Sequence, residues 1–202
     1  MIVLKGAGAG AGMWFLNPEP GVITLIAGKP ATGKTSLLLF MARNFENPCL
    51  IDTEGISLKR VKQTKAEHVK IGRVYSFEQQ HKAITNFHEK CDFLGVDSLV
   101  MLYRLKLAEN MEKANAMLAG EMAKLNEIAD SKNIPVVVTG HIYTKEGRMR
   151  IVSGDIGLYW AKVVILLEKE GPGVRRAKLL KHPWIKEGKE IKFRLSDRGI
   201  EI

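Results

Sequence analysis

The eight residues Gly28-Lys29-Pro30-Ala31-Thr32-Gly33-Lys34-Thr35 constrain this chain more than any other stretch. Their spacing is G-x-x-x-x-G-K-T, in which two glycines let the backbone wrap a phosphate and turn its N–H groups inward. Lys34 supplies a fixed positive charge near the β- and γ-phosphates, and the Thr35 hydroxyl is a ligand for Mg²⁺. Ser36 follows in the same turn. Such a loop works between a strand and a helix, because the helix N-terminus adds its own partial positive charge. Both neighbours are present: Val22-Ile-Thr-Leu-Ile-Ala27 is a β-branched apolar run, and Thr35 to Asn44 suits a buried helix. The stretch predicts an ATP-binding α/β protein.

The rest of the chain alternates in the same way. Strands are predicted at Cys49 to Asp52, Arg73 to Ser76, Phe93 to Val96 and Ile134 to Thr139. Helices are predicted at Phe77 to Lys90 and, long and amphipathic, at Glu109 to Lys132. Then the helical signal fades. Lys162 to Leu167, Arg175 to Leu180 and Glu190 to Leu195 read as successive strands, with Gly171-Pro172-Gly173 turning between the first two. Uninterrupted apolar strands alternating with helices imply a mostly parallel sheet covered on both faces, with antiparallel C-terminal strands added at one edge. The Gly-Ala run at 6–12 can neither pack a core nor hold a helix. Residues 1–20 therefore read as an N-terminal segment with a linker, and 21–202 as one ATP-binding domain.

Charge narrows the partners. Thirty-one Lys and Arg against 22 Asp and Glu give net +9, which favours a polyanion such as nucleic acid through counterion release. A basic but inert surface is the alternative. The excess is clustered. Six basic residues and one acid lie between Lys59 and Arg73, and eleven basic residues and five acids between Lys162 and Arg198. Lys145, Arg148 and Arg150 share a short loop-like stretch. No apolar run reaches the roughly 18 residues of a membrane span, and the start is too short for a signal peptide. Cys49 and Cys91 show no metal spacing and read as reduced, buried thiols. A cytoplasmic protein is expected.

A phosphate loop needs a carboxylate at the end of a neighbouring strand to hold the magnesium shell, and Asp97 fits. The alternative for Asp97 is an ordinary turn residue. The carboxyl ends of the strands line the ligand crevice of an open α/β sheet. Glu54, in Asp52-Thr53-Glu54-Gly55, can therefore face the γ-phosphate and orient an attacking water. Asp52 reads as a carboxylate that stabilises the turn.

Taken in order, Ile51-Asp-Thr-Glu-Gly55, Val96-Asp-Ser-Leu-Val-Met-Leu-Tyr-Arg104, Ile134-Pro-Val-Val-Val138 and Leu195-Ser-Asp-Arg-Gly-Ile-Glu201 resemble the RecA/RadA recombinase superfamily. They are most similar to its short archaeal branch, the RadB family, which lacks a helical N-terminal DNA-binding domain. The resemblance covers about Gly21 to the C-terminus. It implies a RecA-like P-loop core using ATP and Mg²⁺, with Glu54 as the catalytic glutamate and Lys34, Thr35 and Asp97 as phosphate and magnesium residues. Arg60 would stack on the adenine, if one residue is dropped between Gly55 and Arg60; otherwise it is one more member of a basic helix face. The resemblance also implies two DNA-facing loops, the first with Arg104 and Lys106, the second with Lys145, Arg148 and Arg150. DNA, single-stranded in preference to duplex, is then the expected partner, with a recombinase or other repair protein, or further copies of the chain, beside it.

Several features depart from that pattern. Gly140-His141 stands where the superfamily has Asn-Gln, so His141 is either a substitute γ-phosphate sensor, titrating near neutral pH, or a packed strand-end histidine. The second loop is short. Residues 1–20 carry neither the usual Leu-Asp-x-Leu-Leu-Gly-Gly entry nor a Phe-x-x-Ala polymerisation motif. Lys181 would reach the ATP of an adjacent copy or else be a solvated strand-end lysine. His68, His81 and His88 read as surface residues. A slow ATPase assisting recombination and repair is the first reading. An ATP-responsive mediator or KaiC-like regulatory module, acting through protein partners, is the alternative. A small P-loop kinase lacks its arginine-rich lid here.

Overall fold

The computed structural model describes residues 16–87, 90–145 and 148–202, with the side chains of 144, 145, 148 and 149 left aside. The Gly-Ala run, most of the N-terminal segment and His88 lie outside the described residues. The central strands are β1 (Ile23–Gly28), β2 (Pro48–Asp52) and β4 (Phe93–Asp97), every residue of which is buried. Such strands must be covered on both faces, which is why their sequence is apolar without alternation. With β3 (Lys70–Arg73), β5 (Val136–Lys145) and β7 (Val163–Lys169) they form a parallel sheet in the order β7-β1-β5-β4-β2-β3. Strands β8 (Val174–Lys181), β9 (Glu190–Ser196) and β10 (Gly199–Glu201) continue antiparallel from β7. The α/β architecture expected from the sequence, antiparallel edge included, is the one observed.

One apolar layer packs α1 (Lys34–Ala42) and α2 (Leu58–Gln63) against β1, β7, β8 and β9. The opposite layer packs α3 (Phe77–Thr85), α4 (Met101–Glu109), α5 (Met111–Lys132) and α6 (Gly154–Trp160) against the other face. Because the parallel strands all end on one edge, Gly28, Asp52 and Asp97 come together there.

Several elements differ from the sequence expectation. The third strand is Lys70–Arg73, not Arg73 to Ser76: it is an edge strand whose four residues are all exposed, so no apolar run marks it. Helix α3 stops at Thr85, where Asn86 caps it. The long helix is one, as expected, and is α5, where Asn110 accepts a hydrogen bond from the Lys113 N–H and sets the start; the helix before it, α4, was not expected. Strand β5 runs past Thr139 to pair with β6 (Arg148–Ile151). Helix α6 contains Gly154 and Gly157, poor helix formers that hid it. Cys49 is buried, but Cys91 only half-buried; neither is in a disulfide.

Candidate nucleotide site

The loop from Gly28 to Ser36 joins β1 to α1. Ala31 at φ 59° and Gly33 at φ 101° take left-handed backbone, the alternation that makes a concave anion-binding nest. Gly33 is required twice over, since a Cβ there would also meet Leu195 Cδ1 at 2.7 Å. Thr32 Oγ1 donates to the Lys29 carbonyl at 2.9 Å, closing the loop on itself. Lys34 is buried and its Nζ donates to the Gly28 and Lys29 carbonyls, both at 3.2 Å. Burial lowers its ammonium from the ordinary value, while Glu54 and Asp97 act in the opposite direction. The charge thus sits at the loop mouth with no direct ion pair among the described residues.

Asp97 closes the next side. Its carboxylate accepts from Thr35 Oγ1 at 2.6 Å and from Thr139 Oγ1 at 2.5 Å. Burial raises its pKa, and the two hydroxyls oppose that. Thr53 holds the same corner: its N–H donates to the Asp97 carbonyl at 2.7 Å, and its Oγ1 accepts from the Ser98 N–H at 2.8 Å. Asp52 organises the turn that carries Glu54. It accepts from the N–H groups of Glu54, Gly55 and Ile56, and pairs with Arg73 Nη1 at 2.8 Å. Gly55 at φ 93° lets that turn pass, and a Cβ on it would lie 2.6 Å from the Arg73 guanidinium.

Glu54 therefore projects from a braced turn, and His141 meets it: Nε2 and Oε1 are 2.7 Å apart. That hydrogen bond, against partial burial, holds the Glu54 carboxyl at about 2. Lys34, Thr35, Glu54, Asp97 and His141 line one cleft of about 480 Å³, within the range of small-molecule sites. Arg60, on α2, lines it too. The arrangement brings a cation, a hydroxyl–carboxylate pair and an ionised glutamate around one phosphate-sized loop.

A sequence model of the AAA domain matches residues 21–130. The chain is 34% identical over 203 residues to a protein of Methanococcus maripaludis (strain C5) named DNA repair and recombination protein RadB, covering 92% of this chain and 94% of that one. Proteins of the same name from Archaeoglobus fulgidus and Methanocaldococcus jannaschii are 35% and 33% identical, covering 91% and 92% of this chain and 90% and 95% of theirs. The chain belongs to the RadB family. A solved chain described as the RadB recombinase shares the fold, with a TM-score of 0.73 at 24% identity over 91% of both chains.

Of the residues that the RadB resemblance assigns to DNA, Arg104, Lys106 and Arg150 do not line the cleft. Arg104 and Lys106 stand on helix α4 rather than in a loop, a difference the sequence did not anticipate. Arg104 is exposed, while Lys106 is ion-paired to Glu109 at 2.8 Å and Glu78 at 2.9 Å, which together raise its pKa. Lys145 and Arg148 belong to the β5–β6 hairpin, their side chains outside the described residues, and Arg150 is exposed on β6. Lys181 is not a freely solvated lysine: Nζ donates to the Leu158 and Ala161 carbonyls at 3.0 and 2.6 Å, tying down the end of α6. His81 is a surface histidine only in part: 31% of its side chain is exposed, while its Nδ1 faces the buried Glu121. Arg175 and Leu195 also line the cleft and were missed, because they enter from β8 and β9 with no local motif to mark them. Thr139 was missed as a partner of Asp97, although its place at the end of an expected strand on the crevice edge was the available signal.

Proposed function

We propose that this chain is a slow, DNA-associated ATPase of the RadB type, acting in homologous recombination and DNA repair. The observation that carries the reading is the convergence of Lys34, Thr35, Asp97 and Glu54 on one cleft from the ends of three strands, β1, β2 and β4. The names of the relatives support the recombination role.

Magnesium fits the donor set. The Thr35 hydroxyl and Asp97 carboxylate are oxygen ligands, which hard cations take, and among the described residues no group of three or more His, Cys, Asp or Glu could hold a metal unaided. Phosphate and water oxygens would complete such a shell. Bound there, the ion neutralises charge on the phosphate oxygens. The chain's own residues do the rest. Lys34 exchanges its loop carbonyls for phosphate oxygens, and the loop N–H groups and α1 N-terminus hold the charge. Glu54, ionised at neutral pH, orients a water toward the γ-phosphorus and takes its proton. The bond from water forms as the bond to the ADP oxygen breaks, the electron pair leaving with ADP. His141 occupies the sensor position, and its bond to Glu54 must be shared with the incoming phosphate, which keeps turnover slow.

The test is phosphate release from ATP by the wild type and by Lys34→Ala, each with and without single-stranded DNA. DNA-stimulated release in the wild type and none in the variant is expected. A rate equal to that of Lys34→Ala would sink the ATPase reading. The pairing of Lys106 with two glutamates favours a second reading, an ATP-responsive module acting through a recombinase or other repair protein. Affinity for single-stranded DNA against salt separates the two, because phosphate contacts give a steep slope and a protein-directed module does not.

A further inference from the structure

Arg175 and Arg176 are consecutive on β8, so strand alternation sends their side chains to opposite faces of the sheet. Arg176 lies among carboxylates, with Glu168 at 2.7 Å, Glu170 at 3.4 Å and Glu190 at 3.5 Å. Arg175 enters the wall of the nucleotide cleft instead and has no ion pair with any described residue. Its Nη1 donates to the Val174 carbonyl at 2.9 Å, and its Nε is buried with no hydrogen-bond partner. A half-buried guanidinium with an unsatisfied donor is costly for the chain alone. Such a group suits an anion or the face of an aromatic ring supplied from outside.

Sheet order says which part of the ligand it meets. Glu54, Asp97 and His141 come from β2, β4 and β5 on one side of β1, whereas Arg175 and Leu195 come from β8 and β9 on the other. The phosphate loop lies between the two groups. A nucleotide with its terminal phosphate at Glu54 directs its other end toward Arg175 and the apolar wall of Leu195.

We propose that Arg175 is a nucleotide-binding residue that holds the adenosine monophosphate part of the ligand rather than its terminal phosphates. This rests on the nucleotide-binding reading above. The test titrates the full chain and Arg175→Ala with ATP, ADP and inorganic tripolyphosphate, each with magnesium, by calorimetry. The variant is expected to bind ATP and ADP about tenfold more weakly, and tripolyphosphate as the wild type does. Equal weakening toward tripolyphosphate would place the guanidinium at the terminal phosphates and overturn the proposal. Unchanged binding of ATP and ADP would overturn it too, making Arg175 a packing residue. Arg175→Lys, which keeps the charge and loses the planar fork, serves if the alanine variant does not fold; the same ADP-over-tripolyphosphate loss is expected, smaller in size. A wild type that binds neither ATP nor ADP would instead remove the nucleotide-binding reading itself.

Discussion

Glu54 at the cleft and Glu121 on α5 each have a histidine beside the carboxyl, His141 at 2.7 Å and His81 at 3.5 Å. The outcomes are opposite. Glu54, with 30% of its side chain exposed, is held at about 2 by the His141 hydrogen bond. Glu121, with none of its side chain exposed, is pushed up to about 8 by burial, opposed only by a hydrogen bond from Gln80 Nε2 at 2.8 Å. Neither His81 Nδ1 nor Glu121 Oε1 has a hydrogen-bond partner. A nearby imidazole therefore does not fix a carboxyl's charge. A short bond to the charged form, with water still in reach, does so, and full burial without that bond reverses it. At neutral pH Glu54 is an anion ready for chemistry. Glu121 is a neutral strut, holding Gln80, whose amide donates to the Leu99 carbonyl next to the Asp97-Ser98 corner.

The same isosteric change should separate the two sites most sharply. Glu54→Gln removes the group proposed to orient water and accept its proton, at a position exposed enough to tolerate an amide. Hydrolysis is expected to fall by about 10²–10⁴-fold, with ATP affinity and melting temperature near those of the wild type. Steady-state phosphate release beside calorimetric ATP binding reads both. Full activity in the variant would remove Glu54 from its assigned role.

Glu121→Gln should act on stability instead, and only at the upper end of pH. Below pH 4.5 the carboxyl is neutral in both the folded and the unfolded chain. Between 4.5 and about 8 it ionises only when unfolded, so stability falls as pH rises through that window. Glutamine cannot ionise and avoids the loss. The variant is expected to be more stable than wild type by on the order of 4 kcal/mol at pH 8, and nearly equal to it at pH 5. Urea melts at the two pH values check this. An equal change at both would mean that packing, not ionisation, sets the difference.

What the sequence showed follows the same physics. The loop from Gly28 to Thr35 was legible because phosphate chemistry demands those residue types at that spacing. β1, β4 and most of β5 were legible because strands buried on both faces are apolar throughout. Glu54 and Asp97 followed from motifs at strand ends. Edge strand β3 has four exposed residues and looks like a loop. Glu121 shares a buried stripe with Leu118, Met122 and Leu125, yet reads as one more surface glutamate of an amphipathic helix. The Glu54–His141 bond joins residues 87 positions apart, and Arg175 meets the loop only through the order of the strands. Contacts of that kind have no local pattern.

His141→Ala should weaken the contrast from the other side. Without the imidazole, the Glu54 carboxyl loses the first cause of its low value and moves from about 2 toward the ordinary 4.5. In its proposed role Glu54 acts as an anion, so the acid-side fall in hydrolysis rate moves to higher pH. Wild type is expected to hold its rate from pH 6 to pH 4, whereas the variant drops by roughly half near pH 4.5. Carboxyl ¹³C NMR on Glu54 gives the titration directly. An unmoved midpoint would show that Lys34 and the turn, not His141, keep Glu54 charged.

His81→Gln should change least, and for that reason it tests the comparison most strictly. If His81 acted on Glu121 as His141 acts on Glu54, its removal would push the Glu121 carboxyl further up and steepen the loss of stability between pH 4.5 and 8. At 3.5 Å with no hydrogen bond, the imidazole has little to give up. The expected change is within about 0.5 kcal/mol at either end of the window, with the slope of stability against pH preserved. Urea melts across pH 5 to 8, run beside His141→Ala, read it. A steeper slope in His81→Gln would make distance alone enough for a histidine to govern a buried carboxyl. A preserved slope assigns the control to the hydrogen bond that Glu54 has and Glu121 lacks.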